Sequence, residues 1–306
     1  MRQDRYFESC GTGRIHYCRW LPQGEPVAVL QIVHGIAEFV ERYDKFANYL
    51  CTKGFLVVAE DHMGHGKSIQ DVPGYFAGGW GCAVADSFHL LEITRKEHPG
   101  LPYVLLGHSM GSFMARTILC KYPDSGISAA ILSGTGWQPR AALPVGLQVC
   151  KLACAREGEK TPSPFLEKLI FGSYNKKIEH PRTRFDWLTR DAKIVDAYID
   201  HPHCGFTATA GLMRDMMRGL IYIETPEKLQ NMDRNLPVLF IAGGDDPVGN
   251  YGKGVRQTAE AFRKLPMNRV DVKIYPLGRH EILNEINRQE VYEDVSNWLK
   301  EVLSRQ

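Results

Sequence analysis

The segment Gly107-His108-Ser109-Met110-Gly111 constrains the fold and chemistry of this chain more than any other. It follows the apolar run Tyr103–Leu106 and precedes Ser112–Leu119, whose residue pattern indicates a helix. A G-x-S-x-G sequence between a strand and a helix is typical of a nucleophile elbow, where a serine hydroxyl is exposed at the tip of a sharp turn. The flanking glycines leave room, because a side chain at either place would clash across the bend. We therefore predict that Ser109 is a nucleophile.

Six apolar runs predict the strands of a mostly parallel sheet. They are nearly continuous in Val, Ile and Leu rather than alternating, which favours strands buried on both faces. The runs are Val27–Val33, Phe55–Ala59, Tyr103–Leu106, Ala129–Ser133, Val238–Ala242 and Val270–Tyr275. Amphipathic helical patterns fall between them at 43–53, 83–97, 254–265 and 290–303, and residues 6–20 have the pattern of an antiparallel hairpin. This alternation predicts an α/β fold with a doubly wound sheet.

Between residues 137 and 230 the strand-like runs stop, and helical segments broken by prolines take their place. We call residues 137–230 the insertion and predict that it forms a helical cap between two strands. The α/β core then comprises a first part, residues 1–136, and a second part, residues 231–306. We find no internal repeat.

Composition excludes several classes of protein. The net charge of +2 comes from scattered residues, so nothing favours nucleic acid as a partner. No run approaches the roughly 18 apolar residues that span a bilayer, so we expect no stable membrane insertion. The polar start of the chain lacks the apolar core of a signal peptide, and the eight cysteines form no C-x-x-C. We expect free buried thiols and a cytoplasmic location.

A serine nucleophile requires a general base and an acid that orients it. In a fold of this kind they follow the serine along the chain, on loops after late strands. Asp246 and His280 meet this expectation, and both loops lie at the carboxyl ends of predicted parallel strands. Asp245 is the rival acid, although Pro247 favours Asp246 by restricting the backbone before it.

Two backbone N–H groups are the predicted oxyanion donors. Met110 follows the serine at the start of the helix, and Ile36 lies in the loop after an early strand. Gly35 allows that loop to approach the site closely. His34 could also be a second catalytic histidine. A structural role, in which its side chain forms a hydrogen bond with the neighbouring backbone, is the favoured interpretation.

Two histidine pairs invite a metal interpretation that their spacing does not support. His62 and His65 lie three residues apart, and His201 and His203 precede Cys204. Neither group supplies a full set of ligands at the spacing of a known site. The glycines near His65 also lack the phosphate-loop pattern. We expect neither a metal nor another cofactor.

A pocket for an acyl chain is predicted above the serine. The insertion is rich in methionine and aromatic residues, which together provide an adaptable apolar lining, although each one alone fits packing better than a pocket. The candidate pocket residues are Phe39, His108, Trp137, Met213 and Met217.

Taken together, these motifs resemble those of a known family. The chain is similar to the monoacylglycerol lipase and lysophospholipase-like branch of the α/β-hydrolases, which is grouped with the serine aminopeptidase S33 domains. The resemblance spans about residues 13–298 and implies the same nucleophile, base, acid and oxyanion donors, under a cap. One departure is Phe39, where members often carry histidine. The matching segments are His34-Gly35-Ile36-Ala37-Glu38, Arg42-Tyr43, residues 61–68, residues 107–111, Asp246-Pro247 and Arg279-His280-Glu281.

The sequence therefore predicts a serine hydrolase of carboxylic esters, with a small lipophilic ester such as a monoacylglycerol or lysophospholipid as its substrate. Peptidase or amidase activity on the same three residues is an alternative, because the chemistry is shared. A non-catalytic binding protein of this fold is a further alternative. A serine rather than an aspartate at the elbow disfavours a dehalogenase or an epoxide hydrolase. The oligomeric state is not predicted.

Overall fold

Eight strands form one sheet in the order β1-β2-β4-β3-β5-β6-β7-β8 in a computed structural model that describes residues 1–304. The strands are β1 (Arg2–Glu8), β2 (Arg14–Trp20), β3 (Ala28–Val33), β4 (Phe55–Glu60), β5 (Tyr103–His108), β6 (Ala129–Ser133), β7 (Val238–Gly243) and β8 (Val270–Tyr275). The helices are α1 (Asp44–Thr52), α2 (Gly79–Glu97), α3 (Met110–Lys121), α4 (Ala142–Glu157), α5 (Pro164–Phe171), α6 (Ala192–Asp200), α7 (Ala210–Ile223), α8 (Pro226–Leu229), α9 (Lys253–Arg263) and α10 (Arg288–Leu303).

The predicted mostly parallel, doubly wound sheet is confirmed. Strands β3 to β8 pair in parallel, whereas β1 pairs with β2, and β2 with β4, in the antiparallel sense. Every residue of β3 to β7 is buried. Helices α2, α3 and α9 pack on one face of the sheet, α1 and α10 pack on the other, and α7 packs against α2 and α3. Apolar cover on both faces explains why these strands are continuous in Val, Ile and Leu.

Two elements, β1 and α2, begin four residues earlier than their sequence patterns indicate. Strand β1 starts at Arg2 because it forms the polar edge of the sheet, where only Phe7 is buried. Helix α2 starts at Gly79, and its first turn contains two glycines. Because glycine has a low helix propensity, the sequence pattern does not indicate a helix at these residues.

The insertion contributes helices α4 to α8 between β6 and β7. One of them, α7, packs closely on the core: a Cβ atom on Gly219 would overlap the ring of Trp80 in α2. The boundaries of the insertion as a separate domain stay a prediction. No helix within residues 1–304 is long and apolar enough to cross a membrane.

The expectation of eight free thiols is wrong for one pair. Cys10, in the hairpin turn, forms a disulfide with Cys82 of α2, 72 residues further along the chain. The turn lies directly on the start of α2, since a Cβ on Gly11 would be 2.5 Å from the carbonyl oxygen of Ala77. The other six cysteines are free. Sequence spacing could not reveal a pairing made by tertiary packing.

Candidate active site

Ser109 occupies a strained turn between β5 and α3. Its φ of 53° and ψ of −122° lie in a region that residues with a side chain rarely adopt. The turn is held by the N–H of Ser109, which donates to the carbonyl of Ser133 over 3.0 Å. A Cβ on Gly107 would overlap the carbonyl of Gly111, and one on Gly111 would overlap that of Val33. Both glycines are therefore required by close backbone contacts.

His280 and Asp246 lie together at the carboxyl edge of the sheet. Asp246 follows β7, His280 follows β8, and the imidazole Nδ1 is 3.0 Å from Asp246 Oδ1. The same carboxylate oxygen accepts the N–H of Val248 over 2.8 Å. Asp246 is fully buried, whereas Asp245 is exposed. The structure thus pairs His280 with Asp246 and leaves Asp245 in solvent.

The environment of His280 favours its protonated form. Its ring lies near those of Trp187 and His108, with centroid distances of 5.1 Å and 4.8 Å. Burial alone would lower the pKa of His280, but the Asp246 carboxylate, with smaller contributions from Glu281, raises it above its usual value. Burial lowers the pKa of His108 to about 3, so that ring is neutral. A base that is stabilised as a cation suits proton abstraction from a hydroxyl.

The predicted oxyanion donors lie on either side of Ser109. Met110 is the first residue of α3, so its N–H has no acceptor within the helix. Ile36 and Gly35 line the same cavity as Ser109. A Cβ on Gly35 would lie 3.1 Å from Ser109 Cβ. The loop after β3 is therefore in direct contact with the serine, as its glycine predicts.

His34 has a structural environment. Its Nδ1 lies 2.7 Å from the carbonyl of Gly35, and its Nε2 accepts the N–H of His62 over 3.0 Å. The two rings stack at 3.9 Å. Burial, with His62 beside it, holds the pKa of His34 well below the usual range. With both nitrogens engaged by the backbone, His34 is not available as a base.

The histidines considered as metal ligands serve packing and backbone contacts. His62 Nε2 lies 3.0 Å from the carbonyl oxygen of His34, and His65 Nδ1 lies 3.1 Å from that of Met63. His201 stacks on Phe39 at 4.2 Å, and His203 meets the same ring edge-on at 5.7 Å.

A buried charge network, absent from the sequence predictions, joins the loop after β3 to the loop of His280. Arg42 donates to Glu38 over 2.7 Å and to both oxygens of Glu281 over 2.7 Å and 2.6 Å. Although burial opposes ionisation, Arg42 lowers the pKa of Glu281 to about 2. Burial raises the pKa of Glu38, against the attraction of Arg42. Arg42 is thus shared, with one hydrogen bond to Glu38 and two to Glu281.

One cavity of about 270 Å³ opens onto Ser109 and His280. The insertion supplies an apolar wall made mainly of aromatic rings. That wall consists of Phe171, Phe185, Trp187, Leu188, Tyr198, Phe206 and Ala208. Glu167, Lys168 and Arg184 add charge to the lining. An apolar cavity beside a nucleophilic serine can accommodate a lipophilic acyl group.

Of the five candidate pocket residues, only His108 lines this cavity. Phe39 is buried in a cluster with Trp187 and does not line the cavity itself. Both methionines belong to α7. Met213 is fully buried in the core, and Met217 is partly buried against that core. Trp137 lines a separate surface depression with Pro247 and Val248. The phenylalanine, tyrosine and tryptophan rings that line the cavity come instead from residues 171–206 of the insertion.

Four residues that the structure places at the site have no individual role in the sequence predictions. Arg42 and Glu281 are 239 residues apart, so only the fold shows that they pair. Trp187 was visible as an aromatic residue of the insertion, but no pattern placed it against His280. Tyr198 carries no local signal apart from the apolar face of α6.

The sheet order, the helices on both of its faces and the serine elbow after β5 define the α/β-hydrolase fold. The chain belongs to the family described as serine aminopeptidase, S33, which matches residues 24–287.

Several characterised proteins are similar to the chain over nearly its full length. Monoglyceride lipase of Rattus norvegicus is 37% identical, covering 94% of this chain and 87% of the relative. Monoacylglycerol lipase of Mycolicibacterium smegmatis is 29% identical and covers 97% of both chains. A crystal structure of a thermostable carboxyl esterase from Bacillus coagulans, in complex with glycerol, superposes with a TM-score of 0.91 at 29% identity, covering 98% of both chains.

Proposed function

We propose that this protein hydrolyses lipophilic carboxylic esters, monoacylglycerols foremost, through an acyl-enzyme formed on Ser109. The observation that carries the proposal is the opening of one cavity onto both Ser109 and the buried His280–Asp246 pair, under an aromatic wall. Relatives named as monoglyceride and monoacylglycerol lipases support the substrate class.

The proposed reaction begins with proton transfer from Ser109 to His280. Because Nδ1 of His280 is occupied by Asp246, the proton goes to Nε2 as the serine oxygen attacks the ester carbon. The N–H groups of Ile36 and Met110 stabilise the oxyanion of the tetrahedral intermediate. His280 then returns the proton to the leaving alcohol. Water, activated by the same base, releases the fatty acid from Ser109.

The lining of the cavity favours esters over peptides. A free carboxylate in the cavity would attract the ammonium group of a peptide N-terminus. The carboxylates that line this cavity are Glu38, Glu167 and Glu281. Arg42 pairs with two of them, and Arg184 Nη1 lies 3.6 Å from Glu167. A neutral glycerol ester has no charge that a free carboxylate would have to bind.

The decisive test compares the wild-type protein with Ser109→Ala. We expect the wild type to react with a fluorophosphonate probe and to release fatty acid from monoacylglycerols, and we expect the variant to do neither. Ser304→Ala is the matched control, since that exposed serine follows α10 and does not line the cavity. Labelling that persists in Ser109→Ala would exclude Ser109 as the nucleophile. Chain-length profiling of p-nitrophenyl esters checks the acyl pocket, and a preference for acetyl esters would contradict it.

A further inference from the structure

The carbonyl oxygen of Ala37, in the loop after β3, accepts two hydrogen bonds from the insertion. The hydroxyl of Tyr198 donates to it over 2.9 Å, and the N–H of Gly205 donates over 3.0 Å. Both donors come from the part of the insertion that forms the aromatic wall. The loop that carries the proposed oxyanion donor Ile36 is therefore bonded directly to the insertion.

Ala37 is itself in a strained conformation. Its φ is 54°, in the left-handed region that residues with a Cβ adopt at a cost in free energy. Such a conformation persists only where the surroundings hold it. At Ala37 the surroundings include the two hydrogen-bond donors to its carbonyl. One of these donors is a side chain, the hydroxyl of Tyr198.

The opposite side of the loop is held by buried charge. Glu38 accepts the N–H of Gly35 over 2.6 Å and the hydroxyl of Tyr43 over 2.9 Å. Arg42, which binds Glu38, also lies 4.8 Å from the centre of the Tyr198 ring. Tyr198 thus contacts the loop through its hydroxyl and the charge network through its ring.

We propose that Tyr198 is a positioning residue that sets the oxyanion loop for catalysis. Its hydroxyl holds the Ala37 carbonyl, which keeps the neighbouring Ile36 N–H directed at the site of the oxyanion. Since a Cβ on Gly35 would already lie 3.1 Å from Ser109 Cβ, a small shift of the loop changes the geometry at the nucleophile. Oxyanion donors act only when held in place beforehand. This inference rests on the proposed function, in particular on the role of Ile36.

The test is Tyr198→Phe, which keeps the ring and its contact with Arg42 but removes the hydroxyl. We expect kcat for a p-nitrophenyl ester to fall about tenfold with little change in KM, and fluorophosphonate labelling to slow in parallel. Tyr222→Phe is the control, because that half-buried tyrosine of α7 does not line the cavity. Hydrogen exchange of the amides in residues 34–40 should become faster in Tyr198→Phe alone.

A second variant separates loop positioning from a general loss of stability. Glycine is unstrained at the φ of Ala37, so Ala37→Gly should restore part of kcat in the Tyr198→Phe background. Unchanged kcat and exchange in Tyr198→Phe, or a rise in KM alone, would overturn the inference while leaving the proposed function intact. A wild-type protein without esterase activity or labelling would instead overturn the proposed function and this inference with it.

Discussion

At the scale of single residues, the site depends on how Asp246 acts on His280. The aspartate is fully buried and shares one oxygen between the imidazole Nδ1 and the N–H of Val248. This arrangement fixes the ring with its other nitrogen free. It also opposes the effect of burial, which would otherwise keep the imidazole neutral.

Replacing Asp246 should change the pH dependence as well as the rate. The proposed base is active when neutral, so kcat/KM should rise with pH through the pKa of His280, which lies above the ordinary imidazole value. Asp246→Asn removes the main cause of the raised pKa, so the acid limb should move to lower pH while the plateau falls by about 10³ to 10⁴. pH profiles of ester hydrolysis measure both effects. Asp245→Asn is the control, and an acid limb that does not move in Asp246→Asn would contradict the pairing.

At the scale of elements, the contact between α7 and α2 joins the insertion to the core. Gly219 lies against the indole of Trp80, whose Nε1 donates to the Thr117 hydroxyl of α3 over 3.2 Å. Three helices therefore meet around one tryptophan. Glycine at this point allows α7 to approach α2 more closely than a side chain would permit.

A methyl group at Gly219 should separate these helices. Gly219→Ala would overlap the Trp80 ring, and we expect it to lower the free energy of unfolding by about 1–2 kcal/mol despite the better helix propensity of alanine. Gly81→Ala is the control in α2, where a Cβ has nothing within 4 Å and should stabilise by about 0.5 kcal/mol. Urea unfolding followed by circular dichroism measures both values. Equal stability of the two variants would show that the contact is looser than described.

At the scale of the whole molecule, one buried ion pair joins the nucleophile helix to both ends of the insertion. Arg116 of α3 donates to the carbonyl of Gly136, just before the insertion, over 3.2 Å. It also donates to the carbonyl of Ile223 over 3.3 Å and to the Glu224 carboxylate over 2.9 Å, at the end of α7. The residue before the insertion and the end of α7, near the close of the insertion, are thus both bonded to the helix that begins beside Ser109.

Removing both charges of this pair should cost less than the two single replacements together. Glu224→Leu leaves the Arg116 guanidinium buried without its counter-charge, and we expect a loss of about 3–5 kcal/mol in unfolding free energy. In the double variant Arg116→Met/Glu224→Leu, the loss should be smaller than the sum of the two single losses by about 2 kcal/mol. Denaturant unfolding of the three variants gives the coupling. Strict additivity would mean that the two side chains do not interact.

The features that could be predicted from the sequence are those encoded locally or by topology. Continuous apolar runs predicted the strands, and strand order along the chain brought the loops of Asp246 and His280 to one edge. Residues such as Arg42 and Glu281 pair across the fold, so no spacing reveals them. Periodicity places Met213 on the apolar face of α7 but does not say that this face meets the core, since that depends on the packing of α7 against α2 and α3.

The two strands at the margins of the sheet bear on how the protein behaves at high concentration. The outermost strand β1 carries Arg2, Asp4 and Arg5, and β8 carries Asp271 and Lys273 among its apolar residues. Charged side chains on marginal strands oppose the addition of a further strand from a second molecule. Self-association by extension of the sheet is therefore disfavoured at both margins. The protein should therefore resist amyloid-like aggregation while it is folded.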